Sequence, residues 1–386
     1  MNGLIWQLPG VQSFVQRVTE NLDSGTNVIL HCPPNAPDGL VDAIRILCMR
    51  DYPQLQWLSV DTSRWSHSTS VSIAHNLSLV DVGVAAGVTS AEELASHGQQ
   101  RVYAVENLSQ QCWPQFTKFL ERFRLANHQQ DENDRDVFLV NASAAFAVPD
   151  FDVGLRAIAW RGIVREIDSR LFIELIASQS KNAGLESAIS ISIATELGGS
   201  DLDLIERLAA KSLEELLDPK SVLLEFARNS AWCSPECRTW CDGGLESFRD
   251  RPRIHSSVVA LTNDESEIRK RIWHGQLTTV FPYLEERRLD MLPRLKPFLR
   301  NFDLRDPQGY PVELEDLEWG SIAHFIQKSA APTQIADEVR LLRDLRHELA
   351  HLRPIKMSLM NRFLRYAERT ESSVVGQPIP TKMRPA

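Results

Sequence analysis

The stretch Thr333–Pro354, TQIADEVRLLRDLRHELAHLRP, predicts one amphipathic helix near the carboxyl end of a 386-residue chain. Thr333 is a good N-cap residue, and Pro354 ends the helical pattern. Four apolar residues recur at helical spacing and form one face, namely Ile335, Val339, Leu342 and Leu349. Arg346 falls on the same face. A guanidinium keeps its charge, so we expect Arg346 to face a partner, a substrate or a second copy of the chain.

The end of this stretch also carries the HExxH pattern of zinc peptidases, since residues 347–351 read HELAH. In that pattern His347 and His351 would bind zinc from one helix face, and the Glu between them would act as general base. The flanks fit poorly, because Asp344 and Arg353 stand where the buried helix of a zincin is usually uncharged. Only Glu368 and Glu371 follow as candidate third ligands. We therefore expect no metal here and keep a zinc peptidase as an alternative.

Arg346, four intervening residues and His351 resemble the Rx4-6H motif of HEPN domains, and RHELAHLRP is similar to the way that motif is often written. The resemblance implies a helical bundle that cleaves RNA without a metal or a cofactor. Arg346 would stabilise charge on a phosphate, and His351 would move a proton to or from the ribose 2′-OH or the leaving oxygen. His347 would occupy the polar position beside the arginine.

The spacing of the motif limits how these side chains can meet. Five residues place Arg346 and His351 roughly 140° apart on an ideal helix, so the two cannot share one face. Either the helix distorts before Pro354, or a second copy completes the site about a two-fold axis. We expect a homodimer through the C-terminal helices.

The overall charge argues against a dedicated nucleic-acid coat protein or transcription factor, because the chain carries −9 at pH 7 and its pI is about 5.6. A nuclease needs only a local basic patch. Seven cations surround the motif, namely Arg340, Arg343, Arg346, Arg353, Lys356, Arg362 and Arg365. They indicate either an RNA-binding patch or a solvated basic face, and the sequence leaves both open.

Hydropathy places the chain outside the membrane. No apolar run approaches the ~18–20 residues of a membrane span, and the amino terminus lacks the layout of a signal peptide. We expect a cytoplasmic protein with no membrane partner.

Three of the six cysteines, Cys233, Cys237 and Cys241, are spaced by four residues in WCSPECRTWCDGG. His255 would be the fourth ligand if they bound zinc. Pro235 and the paired glycines do not favour a regular ligand helix, and the spacing is not CxxC. We favour reduced structural thiols over zinc.

Short apolar runs alternate with helical patterns over residues 1–165, which predicts a mostly parallel sheet covered on both faces. The five runs are NVILHC (27–32), LQWLSV (55–60), VYAVENL (102–108), VFLVNAS (137–143) and LRAIAW (155–160). Patterns after residue 165 are helical. The fold class expected is therefore α/β followed by all-α.

The turn after the first run, LHCPPNAPDG (30–39), resembles the P-loop of AAA+ NTPases, L-x-G-P-P-G-x-G-K-[ST]. Pro33 and Pro34 are kept, and the other characteristic residues are replaced by Cys32, Asn35, Pro37, Asp38 and Gly39. Because Pro37 removes a backbone N–H and Asp38 adds a negative charge where lysine belongs, we expect no nucleotide binding.

Two strand ends extend this resemblance, which covers about 1–165. Glu106 and Asn107 end the third run where the Walker B acids would lie, and Asn141 lies in the fourth run where sensor 1 would lie. Each is also an ordinary polar residue at a strand end. Together with the Pro-Pro turn they favour a degenerate P-loop NTPase-like core.

Four regions follow from these patterns. We expect the degenerate AAA+ core at 1–165, a helical lid or linker domain at 166–250 and a HEPN-like helical bundle at 251–370. Residues 371–386 lack an apolar period and are expected to be a disordered tail.

The two resemblances together imply a component of a bacterial defence or toxin system. Its NTPase-like part would hold a protein partner, and its HEPN-like part would cleave RNA. A non-catalytic scaffold that binds a partner is the main alternative, and a zinc peptidase is the third.

Overall fold

The computed structural model describes residues 2–63, 65, 73–77, 88–131, 134–148, 153–178, 184–305 and 310–375. The chain forms two compact units that interleave along the sequence. The first unit contains 1–175, 199–204 and 225–262, and the second contains 176–198, 205–224 and 263–386. Most of the expected tail, from residue 376 onward, lies outside the described residues.

The first unit is built on a five-stranded sheet, which confirms the α/β part of the prediction. Its strands are β1 (Asn27–Cys32), β2 (Gln56–Asp61), β3 (Arg101–Glu106), β4 (Val137–Ser143) and β5 (Leu155–Ala159). They run in the order β2-β3-β4-β1-β5, and all neighbours pair in parallel. Each strand matches one of the five apolar runs.

Helices accompany the sheet in the first unit. They are α1 (Asn2–Ile5), α2 (Pro9–Asp23), α3 (Leu40–Asp51), α4 (Ala91–Ser96), α5 (Trp113–Asn127) and α6 (Glu166–Ala177). A further helical turn spans 73–77. Parallel strands need such crossover connections, which also cover the two faces of the sheet.

The core beside α5 is aromatic. Phe116, Phe119 and Phe123 are fully buried on one face of α5, and their rings lie 6.0, 6.1 and 4.8 Å from the ring of Phe138 on β4. Tyr103 of β3 stacks on Phe138 at 5.1 Å. Edge-to-face and stacked aromatic pairs of this kind stabilise beyond the area they bury.

Buried Asn27 joins three strands at their amino ends. Its Nδ2 donates to the carbonyl of Gly154, just before β5, at 2.7 Å, and its Oδ1 accepts from the N–H of Phe138 at 2.9 Å. A buried side-chain amide satisfied on both sides fixes the register of β1 against β4 and β5.

The strand order places a switch in chain direction at β1. From β1 the chain moves away to β2 and returns through β3 to β4, then crosses to β5 on the other side of β1. In open parallel sheets ligands bind at the carboxyl ends of strands beside such a switch. The turn at 33–39 lies at this position.

The first unit ends with a hairpin that the apolar pattern did not indicate. Strands β6 (Leu245–Phe248) and β7 (Arg251–Ile254) pair antiparallel. Arg249 and Asp250 form the turn, and both have positive φ, 53° and 57°. Two residues at positive φ make a type I′ turn, whose twist matches the flanking strands.

Helices make up the second unit, together with a 3-10 turn at Leu314–Asp316. They are α7 (Leu185–Gly198), α9 (Leu213–Leu217), α12 (Glu265–Leu299), α13 (Trp319–Lys328), α14 (Thr333–Ala350) and α15 (Met357–Val375). Three remaining helices are α8 (Leu202–Ala209) and α10 (Lys220–Asn229), which each have residues in both units, and α11 (Ser256–Leu261), which belongs to the first unit. The helical class expected after the sheet is confirmed. Within the described ranges no helix combines the length and the apolar character that crossing a membrane requires.

Helices α7 and α12 approach closely because of one glycine. A Cβ at Gly275 would lie 2.6 Å from Ile193 Cα and 2.8 Å from Ile193 N. The hydroxyls of Ser192 and Thr278 form a hydrogen bond of 2.5 Å across the same contact. Gly275 is therefore required by packing.

Candidate functional site at the end of α14

The motif stretch forms α14, which ends at Ala350 with His351 as C-cap. Leu352 follows with φ 56°. Its N–H donates to the carbonyl of Leu349, and the N–H of Arg353 donates to the carbonyl of Glu348. These two bonds define a Schellman motif, in which the residue at positive φ is usually glycine. The expected distortion before Pro354 is thus the helix end itself.

Two side chains of α12 hold this helix end in place. Trp273 Nε1 donates to the carbonyl of Leu349 at 2.8 Å. Fully buried Gln276 accepts from the N–H of Ile355 at 2.6 Å and donates to the Ile355 carbonyl at 3.0 Å. Because every one of these groups is satisfied, the corner between α14 and α15 is fixed rather than frayed.

His347 and His351 come together on the outside of that corner. Their ring centroids lie 4.3 Å apart with planes at 61°, and both side chains are exposed. Two imidazoles one helical turn apart meet in this way whenever they share a face. The pair offers two proton-exchanging groups to a molecule in solution.

Arg346 points elsewhere. Its Nη2 lies 3.0 Å from Oε2 of Glu318, the residue that precedes α13, and its side chain is 32% exposed. The face buried on α14 contains Val339, Leu341, Leu342, Leu345 and Leu349. Leu345, and not Arg346, continues the apolar stripe into the core. Arg346 is half-buried beside this face, and its partner is Glu318 of the same chain, so its charge alone does not require a second subunit.

Arg346, His347 and His351 together are called the helix-end site below. Within one chain its imidazoles form a pair, and its guanidinium is engaged with α13. Among the residues that the structure describes, no three His, Cys, Asp or Glu side chains form a group able to hold a metal ion. Glu368 lies on α15 outside any such group, and the side chain of Glu371 lies outside the described part of the chain.

The cations around the motif do not form one patch, because some are in ion pairs and others line a groove. Arg340 pairs with Asp337 at 2.7 Å, and Arg343 pairs with Asp344 at 2.5 Å. These neutralised pairs are exposed and contribute little to stability. Arg362 and Arg365 instead line a groove on α15.

The turn that resembles a P-loop lies between β1 and α3. Pro33 is buried, Pro34 and Asp38 are exposed, and Asn35 and Pro37 are half-buried. Gly39 has φ 85° and precedes α3, whose first turn carries Asp42. A phosphate at this helix end would meet the carboxylates of Asp38 and Asp42 instead of a lysine.

Cys32 ends β1 just before this turn. Burial raises the pKa of its thiol to about 12. The group is therefore a protonated thiol at neutral pH and acts as an apolar side chain.

Acidic and amide groups gather at the carboxyl ends of β2 and β3. Asn107, with φ 60°, donates from Nδ2 to Oδ1 of Asp61 at 2.9 Å. Burial, and then the charges of Asp42 and Asp61, raise the pKa of Glu106. Asn141 of β4 is half-buried in the strand that separates these residues from β1. The positions expected for Walker B and sensor 1 thus share one edge of the sheet.

The cysteine segment packs as a structural element. Cys237 Sγ donates to the carbonyl of Trp232 at 2.8 Å, and burial raises the pKa of Cys233 to about 12. Cys241 is half-buried, and all six cysteines are free thiols.

His255 is used by the fold and not by this segment. It is fully buried, caps α11 by accepting from the N–H of Ser257, and its Nε2 lies 3.2 Å from Asp201.

Sequence reasoning did not identify the residues that position the helix-end site. Trp273 and Gln276 act from α12, 76 and 79 positions away from their partners, and Glu318 acts from the residue before α13. Nothing in the sequence around these residues indicates their partners. Trp273 and Gln276, one turn apart within an apolar helix face, could only have indicated that two polar side-chain groups there bond to the backbone of another segment. No family model matches the sequence, and a comparison with curated proteins finds no match.

Proposed function

We propose that the second unit cleaves RNA without a metal, using the helix-end site. The observation that carries this proposal is the exposed pair His347 and His351, with rings 4.3 Å apart at a helix end held by α12. An exposed imidazole pair at a fixed helix end supplies the proton-transfer groups that general acid–base cleavage of a phosphodiester needs.

In this reaction the ribose 2′ oxygen attacks the adjacent phosphorus, and the bond from phosphorus to the 5′ oxygen breaks. His351 takes the proton of the 2′-OH and then gives it to the leaving 5′ oxygen, and His347 supports its ring. Arg346 stabilises the charge that develops on the phosphate oxygens. The products carry a 2′,3′-cyclic phosphate and a free 5′-OH.

A second copy of the chain supplies the arginine in this proposal. Within one chain Arg346 is turned toward Glu318, about 100° of helix rotation away from His347. A two-fold arrangement places the guanidinium of one subunit beside the imidazoles of the other. The direction of the Arg346 side chain supports this homodimer.

The first unit serves as a binding module that resembles a P-loop NTPase and has lost nucleotide binding. Its strand order supports this resemblance, because the turn at 33–39 lies at the switch position of the sheet. A protein partner held by this unit would control the nuclease, as in a bacterial defence or toxin system working in the cytoplasm. This context comes from the resemblance alone.

One observation favours a non-catalytic scaffold as the second candidate. The ion pair between Arg346 and Glu318 occupies the guanidinium that the chemistry requires. Glu318 is 68% exposed, however, and an exposed pair of this kind holds by less than about 1 kcal/mol. Substrate phosphate can therefore displace the carboxylate.

The test is cleavage of a mixed RNA substrate by the full chain in EDTA. We expect cyclic-phosphate products from the wild type and at least a hundredfold loss in Arg346→Ala and His351→Ala. Glu318→Gln, which releases Arg346, should keep or raise the rate. His324→Ala is the matched control, since His324 is an exposed histidine on neighbouring α13.

Three outcomes would reject the proposal. Absence of cleavage in the wild type, or equal rates in all four variants, would support the scaffold. Activity that EDTA removes and zinc restores, lost on changing His347 or His351, would support the peptidase-type site.

A further inference from the structure

A groove between α12, α14 and α15 concentrates positive charge on the second unit. Five arginines line it, namely Arg287, Arg294, Arg362, Arg365 and Arg369. Three carboxylates line it as well, namely Asp337, Glu338 and Glu368. This arginine groove is cationic in a chain whose net charge is −9.

Asp337 and Glu338 both have partners on α12 or α14. Asp337 pairs with Arg340 at 2.7 Å, and Arg340 does not line the groove. Glu338 lies 3.4 Å from Arg294 and accepts from Gln334 at 3.3 Å. In the part of the chain that the structure describes, neither Asp337 nor Glu338 pairs with an arginine of α15.

Arg287 is fixed on the floor of the groove. Its Nε donates to the hydroxyl of buried Tyr366 at 2.8 Å, and its Nη1 lies 3.4 Å from Asp290. Its side chain is largely buried, so this guanidinium is positioned before any ligand arrives.

The remaining three arginines form a row on α15. Arg362, Arg365 and Arg369 follow the i, i+3, i+7 spacing of one helix face, and all three are exposed. Arg365 Nε donates to the carbonyl of Asn361, and Arg369 Nε to the carbonyl of Arg365. Within the described part of the chain, none of the three forms an ion pair. Like charges at this spacing destabilise a helix unless an anion joins them.

The groove offers little for a protein partner to bury. Its two large apolar or aromatic side chains, Leu341 and Tyr366, are already buried in the fold. Protein interfaces depend on apolar and aromatic anchors, whereas phosphate backbones are held by arginine and lysine alone. A row of guanidinium groups about 10 Å long on a straight helix fits successive phosphates.

We infer that the arginine groove binds the phosphate backbone of RNA and holds the strand that the helix-end site cleaves. Asp337 and His351 are 14 residues apart on α14, so groove and site lie about 21 Å apart on the same unit. This inference rests on the proposed function, because it names the same polymer as ligand.

Binding is tested on the full chain carrying His351→Ala, which prevents cleavage. The probe is a fluorescent 20-nucleotide oligouridylate, and anisotropy is followed from 50 to 200 mM KCl. The triple variant Arg362→Gln, Arg365→Gln, Arg369→Gln should bind at least tenfold more weakly. Its slope of log affinity against log salt should fall by about 2, since each lost phosphate contact removes about 0.7.

The matched control removes three exposed cations of the same unit outside the groove. Arg269→Gln, Lys270→Gln and Lys328→Gln change the net charge equally and should leave affinity and slope within twofold of the parent. Circular dichroism checks that both triple variants fold.

Three results would overturn the inference: RNA binding that the groove variant retains, equal losses in both triple variants, or displacement of RNA by polyglutamate at matched charge concentration. The last would assign the groove to an acidic protein. If the wild-type chain binds RNA through the groove but cleaves none, the groove is confirmed as an RNA-binding site and the proposed nuclease activity is rejected. If the chain cleaves RNA but the groove variant binds it as tightly as the parent, the nuclease activity is confirmed and the role of the groove is rejected.

Discussion

Leu352 occupies a backbone conformation that leucine rarely adopts. Its φ of 56° lies in the left-handed region, and its side chain is 67% exposed, so no burial offsets the strain. A residue with a Cβ loses roughly 1 kcal/mol there relative to glycine. The helix end that carries His351 is therefore strained at its outermost residue.

Leu352→Gly should raise the free energy of unfolding by about 1 kcal/mol, because glycine adopts this conformation without a clash. Denaturant unfolding of the full chain measures it. Leu352→Ala keeps the Cβ and should change little. Equal effects of the two substitutions would show that the conformation carries no strain.

The residue scale also shows why the position of Arg346 could not be predicted. Both the i+3 and the i+4 neighbour of Leu342 lie near its helix face, and these neighbours are Leu345 and Arg346. The helical repeat of 3.6 residues is compatible with either residue as the next member of the buried face. Packing chooses Leu345, since its burial costs no charge, and Arg346 turns to Glu318 from another helix.

At the scale of elements, the contact between α7 and α12 depends on Gly275. Gly275→Ala would place a methyl group 2.6 Å from the backbone of Ile193, which cannot move away as a side chain can. Overpacking of this kind costs about 1–3 kcal/mol. We expect loss of hydrogen-exchange protection in α7 and α12.

Gly320→Ala is the control for that substitution. Gly320 lies in α13, and no heavy atom would meet its added Cβ within 4 Å. Alanine favours the helix by roughly 0.5–1 kcal/mol, so this variant should gain stability. A destabilised Gly320→Ala or an unaffected Gly275→Ala would contradict the packing described here.

Elements differed in how well the sequence predicted them. The five parallel strands were found because buried strands are continuous apolar runs between turns. The β6–β7 hairpin was missed, because Arg249-Asp250 is not the Asn-Gly or Asp-Gly that marks a type I′ turn, and Pro252 lies within β7. Its cross-strand pair, Glu246 and Arg253 at 2.7 Å, stabilises what local propensity does not.

At the scale of the whole molecule, each of the two units is built from three separate segments of the chain. Hydropathy patterns are local, so they do not show which distant segments pack into the same unit. The arginine groove has the same origin, since α12 and α15 contribute arginines from positions more than 60 residues apart. Only folding brings them together.

The first unit should not bind ATP. Asp38 and Asp42 put two carboxylates at the start of α3, and Pro37 cannot donate an N–H to a phosphate. Calorimetry with ATP and Mg²⁺ should show no heat of binding at protein concentrations of about 50 μM. Micromolar affinity would contradict the loss of the phosphate site.

The central claim is that two copies of the chain share one site for RNA cleavage, and subunit mixing tests it most directly. Arg346→Ala and His351→Ala proteins are each assayed alone and after exchange of subunits. A mixed dimer regains one intact site of two, so random exchange should restore about a quarter of wild-type cleavage. A mixture no more active than either variant alone, beside an active wild type, would contradict a shared site.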